Sequence, residues 1–280
     1  MIQIKNNGIR GYRPGADGDP LFVEKGYCHF NSNGQKDFLG RMLGYEPLAT
    51  GCTFEVMTFR GKKAKVMVSF QGENVFRFRM FPEGTEGLRR NEVFQFPDVA
   101  CVKTEEDPLF IWTKTERVTL RFRKNPWEMT VFLDDKELTC EQIRDHNVDQ
   151  KYKAVPTGFT TDENGKVTDA FETMYLYTDE DFYGFGEKFT SFNKRGQKIC
   201  VWQRDAQSTN SDISYKGMPY FVSTQGYSVL MNTYTRTHFN MGATSGVSYT
   251  METEDPYLDY YLFANRDMKG LLYDYTGLSG

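Results

Sequence analysis

Residues 183–221 read YGFGEKFTSFNKRGQKICVWQRDAQSTNSDISYKGMPYF, and the fold is decided by how this stretch is read. Gly184 and Gly186 bracket an aromatic, and without a Cβ they admit positive φ and close backbone approach. Ile199 to Trp202 is an unbroken apolar, β-favouring run and predicts a short strand. That strand delivers Arg204-Asp205 into a polar loop, Ala206 to Ser214, rich in Ser, Thr, Asn and Asp. A strand that feeds a polar loop is a common way to hold a binding side chain in place. Two readings stand side by side here. In one, Asp205 accepts hydrogen bonds from neighbouring sugar hydroxyls, while Trp202 and Tyr215 offer apolar faces to the ring. In the other, Arg204 and Asp205 form a surface ion pair and Trp202 is core.

Outward from this stretch the chain reads as strands. Thr53–Arg60, Lys63–Phe70 and Asn74–Phe81 are apolar-rich, the last with Val75, Arg77 and Arg79 on one face and Phe76, Phe78 and Met80 on the other. Phe110–Thr113, Arg117–Lys124 and Met129–Leu133 follow, then Phe159–Asp162 and Lys166–Glu172 around Asn164-Gly165, a type I′ hairpin signal. Phe171–Tyr177 leads in, and Gly226–Asn232, Thr237–Met241, Gly246–Thr253 and Tyr257–Ala264 lead out. Such spacing predicts an all-β protein, a large antiparallel β-sandwich with a few short helices. The helices are expected as a turn at Asp37–Leu43, a capped segment from Thr139 to about His146, and a helix carrying Met268, Leu271, Leu272 and Tyr275 that stops at Gly277. Residues 1–50 read as an irregular segment packed on the sandwich, 51–265 as the sandwich, and 266–280 as the closing helix.

The ordered series Y-G-x-G-E, N-x-R-G, W-x-x-D and Y-K-x-x-P-[FY]-F, followed by Gly226-Tyr227, resembles the N-terminal β-sandwich of glycoside hydrolase family 31. Tyr183, Gly184, Gly186, Glu187, Asn193, Arg195, Gly196, Trp202, Asp205, Tyr215, Lys216, Pro219 and Phe221 carry the match. The resemblance covers residues 171–280; before that only the pattern of strands is shared. The Arg-Asp, the Ser/Thr loop and the Tyr-Lys are most similar to the α-xylosidase branch. The resemblance implies a galactose-mutarotase-like supersandwich whose Asp205 reaches a sugar bound in a neighbouring (β/α)8 barrel. It also implies substrate-binding roles for Trp202, Arg204 and Gln207, with Arg204 either touching sugar or orienting Asp205. In that family two carboxylic acids, about 5–5.5 Å apart in retaining enzymes, sit in a barrel of about 250 residues. No W-x-D-M-N-E-type segment occurs in this sequence. The expectation is therefore a non-catalytic domain of a retaining α-glucosidase or α-xylosidase, silent alone. A free-standing carbohydrate-binding or aldose-mutarotase-like module is the alternative, for which only His238 lies in the matched region.

Charge and composition narrow the partners. With 34 basic against 38 acidic residues and no basic block, nucleic acid is excluded. No apolar run is long enough to span a membrane, and the N-terminus lacks a signal-peptide pattern, which predicts a cytoplasmic protein. Cys28, Cys52, Cys101, Cys140 and Cys200 are scattered without C-x-x-C, and the three histidines are far apart. Reduced, mostly buried thiols follow, with no metal site and no cofactor. The expected partners are an α-linked glucoside or xyloside oligosaccharide, the catalytic barrel of the same protein, and a second copy of the chain through an exposed docking face.

Three further features are read as structural. Gly184-Phe185-Gly186 lacks the third glycine and the βαβ setting of a dinucleotide loop. Glu187 is expected to bond nearby backbone or Arg195. The run Asp179-Glu180-Asp181 is expected to be a solvated turn.

Overall fold

The computed structural model describes residues 30–88, 90, 92–99, 102–141, 157–205 and 214–280. Its strands in chain order are β1 (Gln35–Leu48), β2 (Gly51–Thr58), β3 (Lys63–Gly72), β4 (Val75–Pro82), β5 (Lys103–Glu106), β6 (Phe110–Lys114), β7 (Val118–Lys124), β8 (Trp127–Leu133) and β9 (Lys136–Cys140). There follow β10 (Gly158–Thr161), β11 (Val167–Tyr175), β12 (Phe182–Gly186), β13 (Lys198–Val201), β14 (Gly217–Ser223), β15 (Tyr227–Met231), β16 (Thr237–Asn240), β17 (Ser248–Thr253) and β18 (Leu258–Ala264). The helix α1 (Met268–Ser279) closes the chain. The fold is the expected all-β sandwich.

One long antiparallel sheet runs β12-β14-β15-β18-β4-β3-β2-β1-β10-β11-β17-β16-β13. It folds over on itself at β1, whose Gln35–Phe38 pairs with β10 and whose Leu39–Leu48 pairs with β2. Register shifts at Leu39/Arg41 and Met42/Gly44 mark the corner, and bulges of this kind let a strand pass from one layer to the other. The layers then close on rings: Phe182 lies 5.0 Å from Tyr249, Phe185 lies 4.8 Å from Phe239, and Phe221 lies 6.1 Å from Phe239. A second sheet, β5-β6-β7-β8-β9, packs Phe122 and Trp127 onto Phe54 at 4.5 and 5.5 Å. Its burial of Val118, Leu120, Phe122, Met129 and Val131 joins the main core.

On β4, Phe76, Phe78 and Met80 enter the main core, while Val75 on the opposite face joins Tyr220, Leu230 and Phe263 under α1. Asp267 caps α1 by accepting from the Gly270 amide at 2.7 Å, and Leu271 is its buried anchor. Leu272 and Tyr273 on the same helix are 49% and 78% exposed, leaving an apolar face turned outward.

Several local expectations change. Asp37–Leu43 is not a helical turn but lies in the first half of β1. Asp37 is buried and accepts from Thr58 Oγ1 (2.7 Å), the Phe38 amide (2.9 Å) and the Arg60 amide (3.1 Å), which ties it into the sheet. Thr139 and Cys140 end β9 rather than opening a helix; Gln142–His146 lie outside the described residues. The hairpin at Asn164-Gly165 is present, but only Gly165 has positive φ (79°), and its amide bonds the Asp162 carbonyl at 3.0 Å. That is a type I turn with a left-handed glycine after it, not type I′, because Asp162 Oδ1 accepts from the Asn164 and Lys166 amides and fixes the tighter turn.

Candidate functional site

The two ends of the long sheet meet around residues 202–217. Past the end of β13, Gln203 forms a parallel bridge with Ser214, and the Arg204 amide donates to the Ser214 carbonyl at 3.2 Å. The Gln203 side chain bonds Gly217 in both directions, Nε2 to the carbonyl at 2.8 Å and the Gly217 amide to Oε1 at 3.2 Å. A side-chain amide thus substitutes for ladder bonds and joins the β13 end to the β14 end.

Beneath the seam lies a rigid floor. Gly184 and Gly186 face Phe221 and Gly217 of β14, and a Cβ on Gly186 would stand 1.8 Å from the Lys216 carbonyl oxygen at a φ of +75°. Only glycine fits there. Phe185 between them holds φ +67° with its ring fully buried, stacked on Phe221 at 5.5 Å. Asn193 Oδ1 accepts from the Arg195 amide (3.0 Å), and Arg195 Nη1 donates to the Tyr177 carbonyl (2.9 Å) and the Glu180 carbonyl. Half of the sequence motif is therefore scaffold.

The other half is presented outward. Trp202 is 40% exposed, with the Arg236 guanidinium over its ring at 5.2 Å, so it is neither core nor bare. Arg204 and Asp205 are exposed, and the Asp205 carboxylate accepts the Tyr215 phenol hydrogen across the loop. That bond occupies Oδ1 and fixes the carboxylate's direction. Tyr215 is itself 55% exposed, and Phe192, 81% exposed, lies 5.1 Å from the Tyr183 ring. Gln207 lies outside the described residues. The structure thus brings Trp202, Arg204 and Asp205 to one edge. Tyr215 as the partner of Asp205 was not foreseen, since the two lie ten positions apart in sequence.

Two structural readings are corrected. Glu187 pairs with Lys216 at 2.9 Å, not with Arg195, whose guanidinium is committed to carbonyls. Glu180 is not solvated: it is buried, accepting from Ser223 Oγ (2.5 Å), the Tyr227 phenol and the Tyr177 amide (3.1 Å). Burial pushes its carboxyl up to about 7 against the pull of those bonds.

A closely spaced carboxyl pair exists elsewhere, Glu141 and Glu172, both bonded to Thr157 Oγ1. They are 1% and 0% exposed, so no substrate reaches them. Among the described residues there is no group of three or more His, Cys, Asp or Glu disposed to hold a metal ion, and no helix long and apolar enough to cross a membrane.

A family model described as the glycosyl hydrolase 31 N-terminal galactose mutarotase-like domain matches residues 65–240. The isomaltosyltransferase of Sporosarcina globispora is 25% identical over 224 residues, covering 78% of this chain and 19% of that protein. The α-xylosidase XylQ of Lactiplantibacillus pentosus is 35% identical over 115 residues, 41% of this chain and 15% of that protein. This chain therefore spans about a fifth or less of the length of these two relatives. In fold, the cycloalternan-forming enzyme of Listeria monocytogenes, solved with a pentasaccharide substrate, aligns with a TM-score of 0.75 at 21% identity, over 88% of this chain and 23% of that one.

Proposed function

The chain belongs to the glycosyl hydrolase 31 N-terminal galactose mutarotase-like domain family, and on that footing we propose that it is the non-catalytic sandwich of a retaining α-glucosidase or α-xylosidase. In this reading it packs on a (β/α)8 barrel and lends its 202–215 loop to the sugar site there. One observation carries the proposal: the motif divides into a buried floor and an exposed rim, and the rim is where Trp202, Arg204 and Asp205 stand. A floor that rigid is more than a surface ion pair needs, and it suits a carboxylate that must be held out toward a ligand. With Oδ1 taken by Tyr215, Oδ2 is left to accept sugar hydroxyls. The exposed Tyr215 ring beside it supplies apolar area for a covering domain or for sugar C–H faces.

The free-standing module is the weaker reading. A mutarotase-like site needs a His and a Glu converging on an open position, whereas His238 and Glu254 bond each other at 3.2 Å. The thiols of Cys52 and Cys140, buried and outside any disulfide, support a reducing, cytoplasmic setting. Reading the gene past the Gly280 codon tests the proposal. The expected frame runs on through repeated strand–helix units containing a W-x-D-M-N-E-type segment; an immediate stop codon would leave the module reading in possession.

A further inference from the structure

The sheet edge formed by β13 and β16 holds a second constellation, made by residues absent from the sugar-site motif. Cys200 on β13 stands opposite His238 on β16 in antiparallel register. Directly opposed residues place their side chains on the same face of the sheet, so the thiol and the His238 ring are neighbours, and His238 Nε2 lies 3.2 Å from Glu254 Oε1 and 3.3 Å from Asn31 Nδ2. In the tautomer whose Nε2 hydrogen points to Glu254, Nδ1 is left as base for the thiol. Thiol, imidazole and carboxylate thus stand in the order nucleophile, base, orienting group.

Cys200 and His238 line a half-open cavity of about 180 Å³, together with Asn31, Ile199, Asn240 and Glu252, and Glu254 stands behind His238. The volume suits a small molecule of roughly ten non-hydrogen atoms. Of the three described cysteines, Cys52 and Cys140 are fully buried and Cys200 is partly exposed. Burial pushes the Cys52 thiol up to about 12, so it is a poor nucleophile near neutrality.

We infer that Cys200 is a thiol-exchange site, at which a low-molecular-weight disulfide forms a mixed disulfide with the protein, His238 carrying the proton and Glu254 holding His238. The step is balanced without an external oxidant. Cys200 passes its proton to His238 and its sulfur attacks one sulfur of the ligand. The new S–S bond forms as the ligand's S–S bond breaks, and the departing thiolate takes the proton from His238, leaving one mixed disulfide and one thiol. The charged groups facing His238 are Cys200 and Lys198 from β13, Arg236 ahead of β16, Glu252 from β17 and Glu254 just after it. Burial acts to lower the His238 pKa, but the neighbouring Cys200 and Glu254 outweigh it and hold it raised, so the ring can keep a proton received from the thiol.

The test is peptide-mapped labelling of the whole chain with bis(2-hydroxyethyl) disulfide across pH 5–9. Cys200 is expected to react about tenfold or more faster than Cys52 and Cys140 at pH 6, with a rate that follows an imidazole titration. His238→Asn should slow Cys200 by about tenfold and abolish that titration, with Glu254→Gln between the two. Labelling of Cys200 no faster than of Cys52 and Cys140 overturns the inference. So does a His238→Asn protein with native circular dichroism and a Cys200 rate within about twofold of wild type; where that variant does not fold, Glu254→Gln decides by the same criterion.

Discussion

Asp259→Ala will lower the stability of the domain by about 3–5 kcal/mol, measured by urea denaturation at neutral pH, because it strands a buried guanidinium. Arg77 on β4 and Asp259 on β18 are diagonal neighbours, two residues off register, and their side chains are 8% and 2% exposed. The pairing is bidentate, Nε to Oδ1 at 2.8 Å and Nη2 to Oδ2 at 2.5 Å. Burial pushes the Asp259 carboxyl up, and the bonds from Arg77 pull it back. Asn232 Nδ2 adds a third donor at 3.2 Å, and Glu92 reaches Arg77 Nη2 at 3.1 Å. Glu92 cannot replace a two-pronged partner, so most of the penalty falls on the folded state. Asp259→Asn, which keeps one acceptor, should cost less than Asp259→Ala. A loss under about 1 kcal/mol for the alanine variant would show that the core relaxes around the charge or admits water to it.

The second large effect is a fall in stability as pH rises from about 4.5 to above 7. Thr157 has one hydroxyl hydrogen and two carboxyl neighbours, Glu141 and Glu172, so both contacts are satisfied only when one carboxyl is protonated and donates to it. Burial pushes Glu141 up to about 7 and Glu172 well above its ordinary value, the latter also repelled by Glu141. The folded state then binds protons that the unfolded chain releases near 4.5. The sign follows: the stabilisation is complete below the unfolded value and is lost as pH climbs through the folded one. For Glu141 the difference corresponds to about 3 kcal/mol. Glu180, raised to about 7 by burial, acts in the same window. Exposed carboxylates held low by surface partners, such as Glu106 beside Lys124 and Asp134 beside Arg266, act oppositely but only at more acid pH. Melting temperatures at pH 5 and pH 8 should therefore favour pH 5, and Glu141→Gln should flatten the difference. A flat profile in the wild type would mean that the buried carboxyls gain compensation on ionising.

The alternation on β4 was legible because Arg77 and Arg79 alternate with Phe76, Phe78 and Met80, and the structure turns those three into the main core while the opposite face is covered by a smaller one. The β1 corner was not. Asp37, Phe38, Leu39 and Gly40 are buried on successive residues where the strand crosses between layers, so no period of two marks it as a strand. Glu180 was misread for a related reason. Its neighbours Asp179 and Asp181 are ordinary turn residues, and nothing local signals that Ser223 and Tyr227, more than forty positions on, close over its carboxylate. At the seam, Trp202 and Asp205 stood out by type and spacing, while their supports, Gln203 to Gly217 and Tyr215 to Asp205, are products of tertiary closure. The register that sets Cys200 against His238 likewise has no signature in sequence.

The most direct measurement is steady-state kinetics of the full-length gene product carrying Asp205→Ala, on an aryl α-xyloside and an aryl α-glucoside. The loop's role in sugar binding predicts a loss of about 1–3 kcal/mol in kcat/KM, roughly 5- to 150-fold, on the preferred substrate, the scale for removing a charged hydrogen bond. Kinetics unchanged on both substrates would remove Asp205 from the site and with it the reason for so rigid a floor beneath the 202–215 loop.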